Sequence, residues 1–274
     1  MNRKREKLYQ QYLDDEKVTY VELGQKMDRY RPKKLFRYMR FDEYWKKNIF
    51  EGQVFLSPAN KVNDPFDCLV YINHERYANK IYEYVKKIFP NVADKVIQEE
   101  TNAEIARSLD KRLYKMKNSL RIACFTENCL SPLMWAHYAD SHKGFCIEYD
   151  LRKLAYGYRW GLLPVIYSNK RYDATKALTV RNSNMAINPY LFKSLHWKYE
   201  KEWRMVVPSN MFEDEEYYAD FSNGISAIYL GLESHKEHEN EIDEIVKKYS
   251  SGSIPIYKIY LKPDSYKLEK NKIN

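Results

Sequence analysis

Large apolar side chains recur along this chain at two spacings, and each spacing predicts a different element. Residues 35–41 (LFRYMRF) alternate large and basic side chains, the two-residue period of a strand. Residues 53–57 (QVFLS), 121–126 (RIACFT), 144–149 (GFCIEY) and 163–167 (LPVIY) predict further strands. So do residues 202–207 (EWRMVV), 225–230 (ISAIYL) and 254–261 (IPIYKIYL). Residues 4–15 read as a helix with Leu8 and Leu13 on related faces. Asp42 reads as the N-cap of a short helix over 43–50 that carries Tyr44, Trp45 and Ile49 and stops at Gly52. The stretch 58–65, rich in Asn, Asp and Pro, reads as a loop. The longest helical pattern covers 75–119 and breaks at Pro90, and shorter ones cover 133–139, 189–195 and 236–249.

Strands mixed with helices, without a regular βαβ beat, predict an α+β class. A chain of 274 residues can bury one core, so a single domain over 1–274 is expected. In that domain 1–30 forms an N-terminal helical arm and 75–119 a helical insert.

Composition narrows the function classes. The chain holds 26 Tyr but only 8 Gly, and neither G-x-G-x-x-G nor G-x-x-x-x-G-K-[ST] occurs, which excludes the usual Rossmann and P-loop nucleotide sites. Cys68, Cys124, Cys129 and Cys146 lack C-x-x-C spacing, so neither a disulfide scaffold nor a metal site is expected, and a reducing cytoplasm is the expected setting. Cys124 and Cys146, inside strand patterns, read as small buried hydrophobes. No apolar run is long enough to span a bilayer, so no membrane partner is expected. The net charge is +8, of which residues 1–47 carry +6, with 14 Lys+Arg against 8 Asp+Glu. A basic region of this kind attracts phosphates or acidic surfaces.

Polar residues crowd four segments more densely than packing requires. They are Tyr38 to Arg40 on the first strand, the loop Asn63-Asp64-Pro65-Phe66-Asp67, the stretch from Met134 to Gly144 (MWAHYADSHKG), and Trp197 to Arg204 (WKYEKEWR). The NDPFD loop, MW-x-HYADSHKGFCIEYD and W-x-YEKEWR together resemble the bacterial family called domain of unknown function 2971, with a likeness running from about Leu35 to Leu261.

The order of residues also resembles the ADP-ribosyltransferase fold, which implies a mixed, split β-sheet core. In such enzymes a first strand supplies an Arg that holds NAD, a second strand ends in hydroxyl residues, an aromatic follows, and a later strand opens with Glu, often in E-x-E. Arg40, Ser57, Tyr138 and Glu200-Lys201-Glu202 stand in those places, although Ser57 is followed by Pro58 and Ala59 rather than by more hydroxyls. The resemblance implies NAD as the substrate cofactor, bound by Arg40, Tyr38, Ser57, Asn63, Asp64 and Trp135, with Glu202, Glu200, Tyr138 and His137 catalytic. It further implies a nucleic-acid or protein acceptor, and an effector role as a toxin or in antiphage defence, with an antitoxin or defence-system partner. On a strand, residues two apart share a face, so Glu200 and Glu202 are expected to look into one cleft. Breaking the nicotinamide–ribose bond builds an oxocarbenium-like centre that a carboxylate stabilises. An Arg fork suits pyrophosphate, and an aromatic ring suits nicotinamide.

Two alternatives stand beside this reading. One is a metal-assisted nuclease or other hydrolase using Asp64, Asp67, His137 and Glu202. The other is a noncatalytic module that binds nucleic acid or a nucleotide through a basic, Tyr-rich surface. Glu200, Glu202 and Arg204 also fit plain ion pairing on a sheet, and Trp135, Trp197 and Trp203 fit a packed core.

Overall fold

Alternation of apolar and polar side chains fixes which face of each strand is buried, and the strands then assemble by covering those faces. The computed structural model describes residues 3–15, 17–179, 187–209, 217–250 and 254–274. Among these residues, nine strands form one mixed sheet: β1 (Lys34–Met39), β2 (Ser57–Pro58), β3 (Leu120–Thr126), β4 (Phe145–Asp150), β5 (Leu162–Pro164), β6 (Glu202–Pro208), β7 (Ile225–Leu230), β8 (Ile256–Leu261) and β9 (Leu268–Lys272). Their order is β9-β8-β7-β4-β1-β3-β6-β5, with β2 beside β3. Only β7 and β8 run parallel, joined by the crossover helix Lys236–Ser250, and the other neighbours are antiparallel.

One sheet face buries a continuous core. Leu35, Phe125, Phe145, Ile147, Trp203 and Ile228 meet Ile242 and Val246 of the crossover helix there. The opposite face carries two separate clusters. Over β3, β5 and β6, Ile122, Leu163 and Val206 pack against Tyr9, Leu13, Leu23 and Met27 of the first two helices. Over β1, β4 and β7, Phe36, Tyr38, Cys146 and Tyr229 pack against Met134 and Trp135 of helix Pro132–Tyr138. The space between these two clusters is where the site lies.

Several expectations change. The N-terminal helical arm lies on the sheet, where helices Arg3–Asp14 and Tyr20–Met27 bury Tyr9, Leu13, Leu23 and Met27. Asp42 acts one turn early: its carboxylate accepts the Tyr44 N–H at 3.0 Å, and the helix Trp45–Phe50 has no side-chain cap. The strand read over 163–167 is two strands, Leu162–Pro164 on β6 and Ile166–Ser168, which leaves the main sheet after the Val165 N–H bonds the Glu202 carbonyl at 2.9 Å. Ile166–Ser168 instead pairs in parallel with Phe192–Ser194, inside the stretch 189–195 expected to be helical. The insert is a helical hairpin, His74–Ile88 and Asp94–Asn118, with its own small core of Ile72, Tyr77, Ile105 and Leu109. Gly52 adopts φ +61, and a Cβ there would lie 2.2 Å from the Ser222 Cα, so the turn requires glycine.

Candidate functional site

β3 commits one edge to β6, in seven registered pairs from Glu202↔Thr126 to Pro208↔Leu120. Its other edge is paired only near its ends. Phe36 of β1 registers with Thr126, and Ser57 and Pro58 of β2 register with Ile122 and Arg121. By contrast β1 and β4 share six registered pairs. The sheet is therefore continuous along its path yet splayed between β1 and β3, and a cleft of about 690 Å³ opens over residues 122–126. Its size falls in the range of roughly 300–1,000 Å³ usual for small-molecule sites.

Registered partners share a face, so Thr126, Cys124, Glu202 and Arg204 all line this cleft. Cys124 is exposed on its floor, which corrects the expectation of a buried hydrophobe. The confined surroundings, together with the Glu202 carboxylate, push its thiol above the ordinary range. It stays protonated at neutral pH and is a poor nucleophile.

The cleft wall is a five-member charge cluster. Arg204, 0% exposed, donates Nε to Glu202 Oε1 at 2.7 Å and Nη2 to Oε2 at 3.1 Å. The same guanidinium donates Nη1 to Asp67 Oδ1 at 2.9 Å, Nη2 to Oδ2 at 2.5 Å, and Nη1 to the Tyr190 carbonyl at 2.8 Å. Lys193 donates to Glu200 Oε2 at 2.5 Å and to Glu202 Oε2 at 3.0 Å, with Asp67 Oδ2 3.6 Å away. Tyr138 donates its hydroxyl to the remaining Glu200 oxygen, Oε1, at 2.5 Å.

These contacts divide the two glutamates. Burial pushes both carboxyls up, because a charge in a low-dielectric wall loses hydration. At Glu202 the two cations, Arg204 and Lys193, overcome that penalty and hold its carboxyl well below the ordinary range. At Glu200 burial and the Glu202 charge prevail over Lys193 and Tyr138, and its carboxyl is raised to about 7. One glutamate is thus a fixed anion, and the other exchanges its proton near neutral pH. Such a separation is how neighbouring carboxyls take different roles in acid–base chemistry.

The E-x-E geometry differs from the expected strand alternation. Glu200 ends the 3₁₀ segment Leu195–Glu200, Lys201 turns the chain in the left-handed region at φ 46, and Glu202 opens β6. The Thr126 hydroxyl fixes this corner by donating to the Glu200 carbonyl at 2.5 Å, and the Tyr167 hydroxyl accepts the Glu202 N–H at 2.7 Å.

The cleft also takes in Tyr38, Arg40, Ser57, Asn63 and His137. Arg40 stands at the rim with its side chain 74% exposed, 3.5 Å from Asp42. Tyr38 donates its hydroxyl to the Asn128 carbonyl at 2.8 Å, so its ring rather than its oxygen borders the cleft. His137, exposed, lies 6.1 Å from the Trp197 ring and 6.4 Å from the Tyr199 ring, an aromatic rim beside Tyr138. Arg37, adjacent in the wall, buries Nη1 with no hydrogen-bond partner, an unusual state for a donor that fully satisfied cores avoid.

Two expected ligand-binding residues lie elsewhere. Trp135 is 0% exposed, donates Nε1 to the Cys129 carbonyl at 2.9 Å, and meets Tyr38 edge to face, so it is a core ring behind the cleft. Asp64 accepts the Trp197 Nε1–H at 2.6 Å and the Phe66 N–H at 2.9 Å, which commits its carboxylate to holding the loop. Sequence reasoning missed Lys193, whose only signal was a lone cation in an apolar run. It also missed Arg37 and the partnership of Arg204 with Asp67. Asp140, Ser141 and His142 form a consecutive left-handed run, φ 45, 53 and 71, and the first two line the cleft mouth. Three such residues in a row store backbone strain of about 1–3 kcal/mol each, a feature that clusters at functional sites.

Among the described residues no group of His, Cys, Asp and Glu is arranged to hold a metal ion, and no helix is long and apolar enough to cross a membrane. No curated protein and no solved structure matches the chain. Residues 134–205, the span that brings Tyr138, Lys193, Glu200, Glu202 and Arg204 to the cleft, match the family described as Protein of unknown function (DUF2971).

Proposed function

We propose that the cleft binds NAD as a substrate and that the chain is an ADP-ribosyltransferase-like enzyme. The observation that carries this reading is the splay between β1 and β3, which sets a rim guanidinium, a tyrosine and a divided pair of glutamates around one opening. Arg40, at the rim, supplies positive charge for a pyrophosphate. The rings of Tyr138, His137 and Tyr199 offer a stacking surface for nicotinamide. Glu202 stays anionic and stabilises positive charge that develops on the ribose, and Glu200, with its carboxyl near 7, takes the proton of the acceptor as the new bond to the ribose forms and nicotinamide leaves. The acceptor is nucleic acid or protein, and a toxin or defence role belongs to the same reading.

The metal-assisted hydrolase has less support, because Asp64 is committed to the Trp197 Nε1–H and the Phe66 N–H. The test is nicotinamide release on incubation with NAD and cellular RNA, DNA and protein. Release with one acceptor, reduced about 100-fold or more in Glu200→Gln and Glu202→Gln variants, is expected from the loss of a proton-transfer or charge-stabilising group. No release with any acceptor, together with metal-dependent cleavage of nucleic acid, overturns the proposal.

A further inference from the structure

The parallel ribbon of Ile166–Ser168 and Phe192–Ser194 has two working sides. Lys193 registers with Tyr167, and both look toward the glutamate pair. Their neighbours Phe192 and Ser168 point the other way, as a two-residue period requires, and line a second pocket of about 600 Å³.

That pocket is strongly basic. Arg76 and Lys80 reach it from the insert helix His74–Ile88, Lys170 and Arg171 from the turn after the ribbon, and Lys176 from the helix Thr175–Thr179. Among the described residues Asp173 is the one acid in its lining; it is already engaged by Arg76 and by the Thr175 N–H. Lys80 also contacts Glu83 at 3.0 Å. Lys170 and Arg171 are exposed. The aromatic floor of the pocket is the pair Tyr172, buried, and Phe192, half-buried, with ring centroids 4.8 Å apart at 37°.

An aromatic floor under a cationic rim is the pairing that holds a nucleotide, the base stacked and the phosphate neutralised. We propose that this pocket, on the reverse side of the ribbon from the carboxylate cleft, is a nucleotide-binding site. Its ligand is a base-bearing phosphate, either a unit of a single-stranded nucleic acid or a free nucleotide. The site is independent of the NAD reading.

The test measures binding, not turnover. Three probes are titrated against the full chain: a single-stranded RNA of about ten nucleotides, ATP, and inorganic triphosphate. The same titrations use a Lys170→Glu/Arg171→Glu double variant, whose thermal midpoint is checked against the parent. Affinity for RNA or ATP is expected to fall at least tenfold in the variant, and the RNA salt dependence to lose about 1.4 units of log–log slope. Binding by RNA alone names the strand as the ligand, and binding by ATP names the free nucleotide. Triphosphate binding as tightly as ATP, affinity unchanged in a folded double variant, or no binding of either nucleotide probe overturns the site. Nicotinamide release from NAD by the parent protein is measured separately from these titrations, so failure of this site and failure of the NAD reading are separately visible.

Discussion

Arg204 grips Asp67 through two parallel hydrogen bonds, 2.9 and 2.5 Å long, across 137 residues of sequence. The same guanidinium holds Glu202. It thereby ties the Asn63–Asp67 loop to β6 and sets the glutamate pair against the cleft.

Removing that cation leaves Asp67 and Glu202 buried without their principal partner. Breaking a buried pair in this way costs about 3–5 kcal/mol. Arg204→Met is expected to lower the urea midpoint by that equivalent. The destabilisation is expected to shrink when Asp67 is also changed to Asn, since one orphaned charge then disappears.

Glu200 gives the protein a second, opposite pH dependence. Its carboxyl sits at about 7 against an ordinary 4.5, so the fold favours the protonated form. The associated stability is fully present below about 4.5 and is lost as pH rises through about 7. Glu202 is held low, so its contribution is present above its ordinary value and is lost only in strong acid. Glu200→Gln removes the first effect. Relative to the variant, the parent protein is expected to lose about 2–4 kcal/mol between pH 4.5 and 8, read from denaturation midpoints across that range.

Tyr138 donates to the charged form of Glu200 and so pulls its carboxyl down. Tyr138→Phe deletes that donor and keeps the ring. The ionisation near 7 is expected to move up by about one pH unit, measured as the midpoint of the acid limb in a pH profile or by carboxyl NMR titration. An unchanged midpoint would show that the hydroxyl does not sense Glu200.

Lys201, in the left-handed region at φ 46, makes the turn that lets Glu200 and Glu202 face the same opening. Lys201→Gly keeps that turn without strain and is expected to be neutral or slightly stabilising. Lys201→Val places a β-branched residue there, and a cost of about 1–2 kcal/mol is expected. The paired midpoints check this, and activity should fall with Val but not with Gly.

Much of the sheet was legible because period-two alternation survives in residues such as Phe36, Tyr38, Ile122 and Arg204. The resemblance to the ADP-ribosyltransferase order also pointed to Arg40, Tyr138, Glu200 and Glu202, which all line the cleft. Long-range pairing was not legible: nothing near Asp67 names Arg204 as its partner. Lys193 was hidden for a different reason, since a short apolar run after a proline fits helix and strand equally well. Cys124 looked buried because a strand position implies two covered sides, and only the missing neighbour at β3 exposes it. Trp135 and Asp64 carried the chemistry of a binding site but were already occupied by the Cys129 carbonyl and by Trp197.

The lone registered pair at Phe36 and Thr126 makes the two halves of the sheet resemble the jaws of a clip sharing one pivot. A molecule that bridges the opening fastens the clip where the backbone leaves it loose. At a hundredfold excess over its dissociation constant, such a ligand adds about 2.7 kcal/mol to stability. Slowed amide exchange at 123–125 and 37–39 would then report occupancy of the cleft before any product is known.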